Sequence, residues 1–193
     1  MTSADEVLQF WLDELEPKDW YSGGEALDTR IKDRFEGVWE RTMEGAHSLW
    51  LCFPSSTLAY LLVTDQFSRN MFRGEGKAFA SDKIALAAAK AAIHKGWDLK
   101  IDEPARQFFY MPLMHSENLN DQNRSVRLFH TRMDSDMNMI HARAHREIIR
   151  RYGRFPYRNE ALGRRWTAPE REFMEFGGYA TVLKELQDSD AKG

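Results

Sequence analysis

Apolar residues recur at three- and four-residue steps along this chain, the spacing that gathers them on one face of an α-helix. From Ala4 to Leu15 the stripe is Val7, Leu8, Trp11, Leu12 and Leu15. From Asp28 to Glu44 it is Ile31, Phe35, Val38, Trp39 and Met43. Ser81-Asp82 opens an alanine-rich run that continues to His94 and closes at Gly96, which predicts a capped helix. Thr167-Ala-Pro-Glu170 has the spacing of a capping box, with proline early, so a short last helix is predicted to begin there. Strands have little to build from, because no segment alternates apolar and polar residues and valine plus isoleucine total only 12. Gly74, Gly76, Gly96, Pro104, Gly153 and Pro156 leave short connections. The pattern predicts one all-α domain over residues 1–193, with eight to ten helices in antiparallel pairs.

The segment from Thr57 to Phe72 carries the most information. Leu58, Leu61, Leu62, Asp65, Arg69 and Phe72 project onto one stripe, while Tyr60, Val63 and Phe67 occupy the opposite side. A helix apolar on both sides is buried on both, so this one is expected at the centre. Asp65 and Arg69 then form an i,i+4 pair of opposite charge facing the core. Two readings follow: a buried strut that fixes packing, or the polar floor of a ligand pocket.

Three histidines bear on chemistry. The run from Pro104 to Glu117 starts with a helix-initiating proline and is expected to break at Pro112, freeing the carbonyl of Phe108. His115 projects inward with Phe108 and Met111, either toward a substrate or onto a released carbonyl. His141 and His145 stand i,i+4 on a helix ending at Gly153, on one face with Ala144, Ile148 and Tyr152. No glutamate follows His141 and no third ligand can be named, so no metal site is expected. Cys52 sits beside Trp50, Leu51 and Phe53 and is expected to be buried and inert.

Length, at 193 residues, suits a single core, and no run approaches the roughly 18 apolar residues of a membrane span. The acidic N-terminus is unlike a signal peptide, and one cysteine leaves no internal disulfide; both point to a cytoplasmic protein. Charge is uneven. Residues 1–44 carry 12 acids against 5 bases, and residues 141–171 carry 9 arginines against 3 acids. Arginine forks bind carboxylates and phosphates bidentately. They could serve an anion or a nucleic acid, or pair with the acidic N-terminal helices. A pI near 6.1 favours the pairing over nucleic acid.

Two short segments repeat a theme: Asp65-Gln-Phe-Ser-Arg69-Asn70-Met-Phe-Arg73-Gly74, and Gly153-Arg154-Phe155-Pro156-Tyr157-Arg158-Asn159, continuing to Gly163-Arg164. Each sets an aromatic shortly before Arg-Asn and another arginine beside glycine, offering charged forks and neutral amides to an anion. The stretches DQFSRNMFRG, FFYMPLMHSENLNDQ and RRYGRFPYRNEALGRRWTAPE resemble the signatures of the bacterial family catalogued as domain of unknown function 924. VLQFWLDEL, KDWYSGG and AFASDKIALAAAKAAIHKGWD add to the likeness, which runs through almost the whole chain. The resemblance implies an all-helical fold of the tetratricopeptide-like kind and brings no activity or cofactor. Ser68 stands where the family usually has proline, and Tyr157 where it usually has histidine.

Two function classes emerge. One binds or transforms an anionic small molecule, a phosphate or carboxylate. Asp65, Arg69, Asn70, Arg73, Arg154, Arg158 and Asn159 are its ligand-binding candidates, and His115, His145 and Glu117 its acid–base candidates. The other is a non-enzymatic helical scaffold for a peptide or protein partner. The two Arg-Asn segments are expected to converge on one polar site. Neither reading requires a cofactor, a nucleic acid or a membrane.

Overall fold

The computed structural model describes residues 2–191. The described residues are helical throughout, with no strand, as the patterning predicts. The chain packs as two compact units, one up to Pro112 and one from Leu113. No helix among the described residues is long and apolar enough to cross a membrane.

The N-terminal unit starts with α1 (Ala4–Leu8), capped by Ser3 and Glu6 in a capping box. The helix continues through a π turn, Gln9–Asp13. That wide turn revises the expected stripe. Val7, Phe10, Trp11 and Leu15 are buried, whereas Leu8 and Leu12 are only half-buried. A π turn holds more residues than an α turn, so it rotates the residues within it relative to a regular wheel and brings Phe10 inward. After the short α2 (Asp19–Ser22), α3 (Glu25–Met43) buries Ile31, Phe35, Val38 and Trp39, as expected. Thr42 completes its buried face, and Met43 is exposed.

The central helix runs as α4 (Pro54–Leu61), a second π turn (Leu62–Phe67) and α5 (Ser68–Met71). Every residue from Thr57 to Ser68 is buried, so the expectation of a helix covered on both sides holds. Phe67 sits 4.8 Å from Phe35, 5.3 Å from Trp11 and 6.0 Å from Phe10, centroid to centroid. Trp20 and Phe108 extend this aromatic core. Next comes α6 (Asp82–His94), with the predicted bounds and Gly96 in the left-handed region just beyond it. Ser81 precedes it but does not cap it. Its hydroxyl accepts from Trp39 Nε1 and donates to the Thr64 carbonyl instead.

Two expectations are corrected in this unit. Cys52 is exposed, because it lies in a 3-10 turn, Ser48–Cys52, that buries none of its residues. The helix expected to start at Pro104 and break at Pro112 is a 3-10 turn, Ala105–Phe109, and Pro112 falls inside a new short helix, α7 (Met111–Met114). Proline is tolerated there because the first amides of a helix need no intrahelical acceptor.

The C-terminal unit contains α8 (Leu119–Arg132), capped by Asn118, and α9 (Asp136–Tyr152), capped by Ser135 and closed by Gly153 at φ 71°. Then come α10 (Ala168–Glu175) and α11 (Tyr179–Asp190). Both α8 and α11 pack on α9. Ala144, Ile148, Ile149, Phe155, Phe173 and Val182 form the core, with Tyr152, Tyr157 and Tyr179 against it. The predicted capping box at α10 is present, with Thr167 Oγ1 accepting from Glu170 N–H and Glu170 accepting from Thr167 N–H, but α10 is not the last helix as expected, because the chain turns at Gly177-Gly178 and continues as α11. Thr167→Ala is expected to lower stability by about 1 kcal/mol, read by urea unfolding, because one first-turn amide loses its acceptor. An unchanged midpoint would show that the Glu170 half of the box suffices.

Candidate functional site

The first Arg-Asn segment is committed to carboxylates of its own unit. Arg69 Nη1 lies 3.1 Å from Asp65 Oδ1 and donates to the Asp65 carbonyl at 2.8 Å. Its Nη2 reaches Asp82 Oδ1 at 3.0 Å, at the start of α6. This is the geometry of a strut. Asn70 and Arg73 turn elsewhere, both to Asp28: Arg73 Nε donates to Oδ2 at 2.7 Å, and Arg73 Nη2 and Asn70 Nδ2 donate to Oδ1. Burial pushes the Asp28 carboxyl up, but these hydrogen bonds outweigh it and hold the group below its ordinary value. An internal carboxylate thus occupies the fork that an anion would need.

The second segment is equally engaged. Arg154 binds Glu170 side-on, with Nε to Oε1 at 2.6 Å and Nη2 to Oε2 at 2.9 Å. The Arg154 hydrogen bond, helped by Thr167, pulls the Glu170 carboxyl down to about 2. Glu117 accepts from Arg164 through both oxygens at 2.8 Å and from Phe155 N–H at 2.9 Å. Burial raises its carboxyl, yet those donors keep it below the usual range, so it serves as a charged anchor for the turn after α9. Arg158 is buried, stacks over Phe155 and donates to the His115 carbonyl at 3.0 Å. Both side-chain polar atoms of Asn159 are buried with no hydrogen-bond partner.

Arg143 and Arg151 also find acids nearby: Asp190 for the first, Glu147 and Glu185 for the second. For Arg143, Arg151, Arg154 and Arg164 the expected pairing with the N-terminal acids is therefore replaced by pairing with carboxylates of residues 117–190.

The histidines of α9 form a hydrogen-bonded group with Tyr179. His145 Nδ1 lies 2.8 Å from the His141 carbonyl oxygen. A carbonyl can only accept, so Nδ1 carries the proton and Nε2 holds the lone pair. The Tyr179 hydroxyl is 2.5 Å from His141 Nδ1 and 3.4 Å from His145 Nδ1. With His145 Nδ1 a donor, the phenol proton goes to His141. Burial, the nearby His115 and the charge of Arg158 push His145 down to about 3, against the one opposing bond to the His141 carbonyl. Burial likewise lowers His141 and raises Tyr179 well above an ordinary phenol. The His115 ring lies 6.0 Å from that of His145.

A cleft of about 540 Å³ opens beside this group, lined by His145, Tyr157, Met174, Gly177, Gly178 and Tyr179. Its volume is within the range of small-molecule sites. Of the expected site residues only His145 lines it. Tyr157, noted in the sequence for its departure from the family pattern, is a wall. Tyr179 and Met174 carry no local signal, since one follows a glycine pair and the other lies in a short helix, and the sequence does not reveal how either sits on α9.

The family described as "Bacterial protein of unknown function (DUF924)" matches residues 7–178. The chain belongs to this family. A solved structure, that of the protein of unknown function ATU0120 from Agrobacterium tumefaciens, is similar over 90% of this chain and 97% of its own, with 36% identity and a TM-score of 0.85. No curated protein matches the chain significantly. The DUF924 match covers α1 to the turn before α11, and so includes every residue lining the cleft except Tyr179.

Proposed function

We propose that this DUF924 protein binds a small organic molecule in the cleft beside α9. The observation that carries this reading is the neutral imidazole of His145, fixed in one tautomer by the His141 carbonyl and set in a cleft wall with its Nε2 as acceptor. A ligand that donates a hydrogen bond suits it better than an anion, which would meet that lone pair unfavourably. The forks of Arg69, Arg73 and Arg154, expected to hold a phosphate or carboxylate, are filled by Asp65, Asp28 and Glu170. His145, one of the two histidines expected to move protons, would then accept a hydrogen bond at neutral pH, because burial lowers its affinity for a proton.

Met174→Trp tests the reading. Met174 lies on the exposed rim, so the larger side chain should fill the cleft without disturbing the core. Saturation-transfer NMR against phenols, alcohols, carboxylates and phosphates should find molecules bound by the wild type and lost in the variant. Equal binding to both, or no binding by any class, sinks the proposal.

The scaffold reading, with a tetratricopeptide-like array of helix pairs, draws on one observation. Leu49 and Phe53 stand 78% and 68% exposed, an apolar surface a partner could cover. It offers no role for the ordered histidines.

A further inference from the structure

The walls of the cleft say more about the ligand than that it is small. Tyr157 and Tyr179 meet at a right angle, their ring planes at 89° and centroids 6.4 Å apart. Each ring is held from behind. Tyr157 stacks on Phe155 at 5.3 Å and 24°. Tyr179 is parallel to His141 within 3° and joined to it by its hydroxyl. His145 stands against Tyr179 at 5.0 Å and 61°, and against Phe155 at 5.5 Å and 79°. The corner is therefore a fixed assembly of rings rather than two loose side chains.

Two glycines and a methionine complete the lining. Gly177 and Gly178, at φ 99° and 57°, leave the turn between α10 and α11 without side chains. A Cβ on Gly178 would come within 3.3 Å of Met174 Sδ, so the thioether already lies over that glycine. Sulfur is a favourable neighbour for an aromatic edge. Aromatic rings carry a negative face and a positive edge, so a planar ring seated in a right-angled corner can meet one wall edge-on and the other offset-stacked. A saturated ring fills the same volume but gains neither contact.

We propose that the ligand is an aromatic ring bearing an O–H or N–H, seated in the Tyr157–Tyr179 corner with that donor on His145 Nε2. This rests on the small-molecule reading above and specifies its chemical class. The three features it needs are separable: phenol has ring and donor, cyclohexanol has the donor without the π face, and toluene has the ring without the donor.

The three molecules are to be titrated into the full chain while the side-chain resonances of His145 and Tyr179 are followed by NMR. Phenol is expected to shift both, with a Kd roughly three- to tenfold lower than that of either other probe. In Tyr157→Leu, which leaves Tyr179 as the one aromatic wall, the advantage over cyclohexanol should shrink, while in Tyr157→Phe, which keeps the face, it should persist. Far-ultraviolet dichroism and melting temperature establish that both variants fold, and the Phe variant keeps the test valid should the Leu variant fail. If cyclohexanol moves the same resonances as tightly as phenol, the aromatic class is wrong and the small-molecule cleft stands. If toluene equals phenol, the donor on His145 is wrong. If none of the three perturbs His145 up to its limit of solubility, while other fragments bind and are lost in Met174→Trp, this inference alone falls. If no fragment behaves so, both readings fall.

Discussion

Replacing Arg69 with methionine is expected to destabilise the protein by about 3–5 kcal/mol, the cost of leaving a buried carboxylate half-paired. Asp65 is 1% exposed, and Arg69 bridges it to Asp82 across two helices. Gln66 Nε2 also donates to Asp65, which places the cost toward the lower end of that range. The double variant Asp65→Leu/Arg69→Met removes both charges from the central helix and is expected to recover much of the loss, since buried ion pairs often do no better than apolar residues of similar volume. Urea unfolding of the single and double variants measures both quantities. Loss below about 1 kcal/mol in the single variant would mean that water reaches Asp65, and the strut account would fail.

The second large effect is on pH dependence. His145 is lowered from its ordinary value of 6.5 to about 3, so the unfolded chain takes up a proton before the folded one does. Stability is then complete above pH 6.5 and declines as pH falls from there toward 3, by at most about 1 kcal/mol for each pH unit because the ring also lines a cleft. The charges that oppose protonation are His115, Arg158 and His141. Glu170, lowered from 4.5 to about 2, adds a further decline with the same sign below pH 4.5. Unfolding free energies measured from pH 7 to pH 3 should fall steeply in the wild type. In His145→Phe the slope between pH 6 and pH 4.5 should flatten, and in Glu170→Gln only the lower part should. A wild-type profile flat down to pH 4.5 would show that the imidazole is open to solvent.

Much of the fold is legible in the residues. Periodicity located α3 and α6, Gly96 and Gly153 marked helix ends, and Thr167 with Glu170 marked the start of α10. The misses have a common cause. A helical wheel assumes 3.6 residues per turn, so Phe10 escaped notice where the chain widens into a π turn. Ser81 fits a cap by type and place, but a tertiary acceptor at Thr64 and a donor at Trp39 claim its hydroxyl. The arginine and histidine candidates were visible as residue types. What each one touches depends on packing between helices, and the sequence holds no local sign that Tyr179 would face His141 or that Asp28 would occupy the fork of Arg73.

The π turn in the central helix also bears on how this chain tolerates change in length. Within Leu62–Phe67 the Thr64 carbonyl accepts hydroxyls from Ser68 and, from outside the helix, Ser81. A π turn shifts each carbonyl's amide partner one residue along, which leaves room at that oxygen for a visitor. Losing one residue from this stretch would restore the tighter winding and close that room, and the anchorage of α6 would go with it. The length of one helix is thereby tied to the point at which another begins, so a deletion that looks harmless in the first would be felt as a loosened joint in the second.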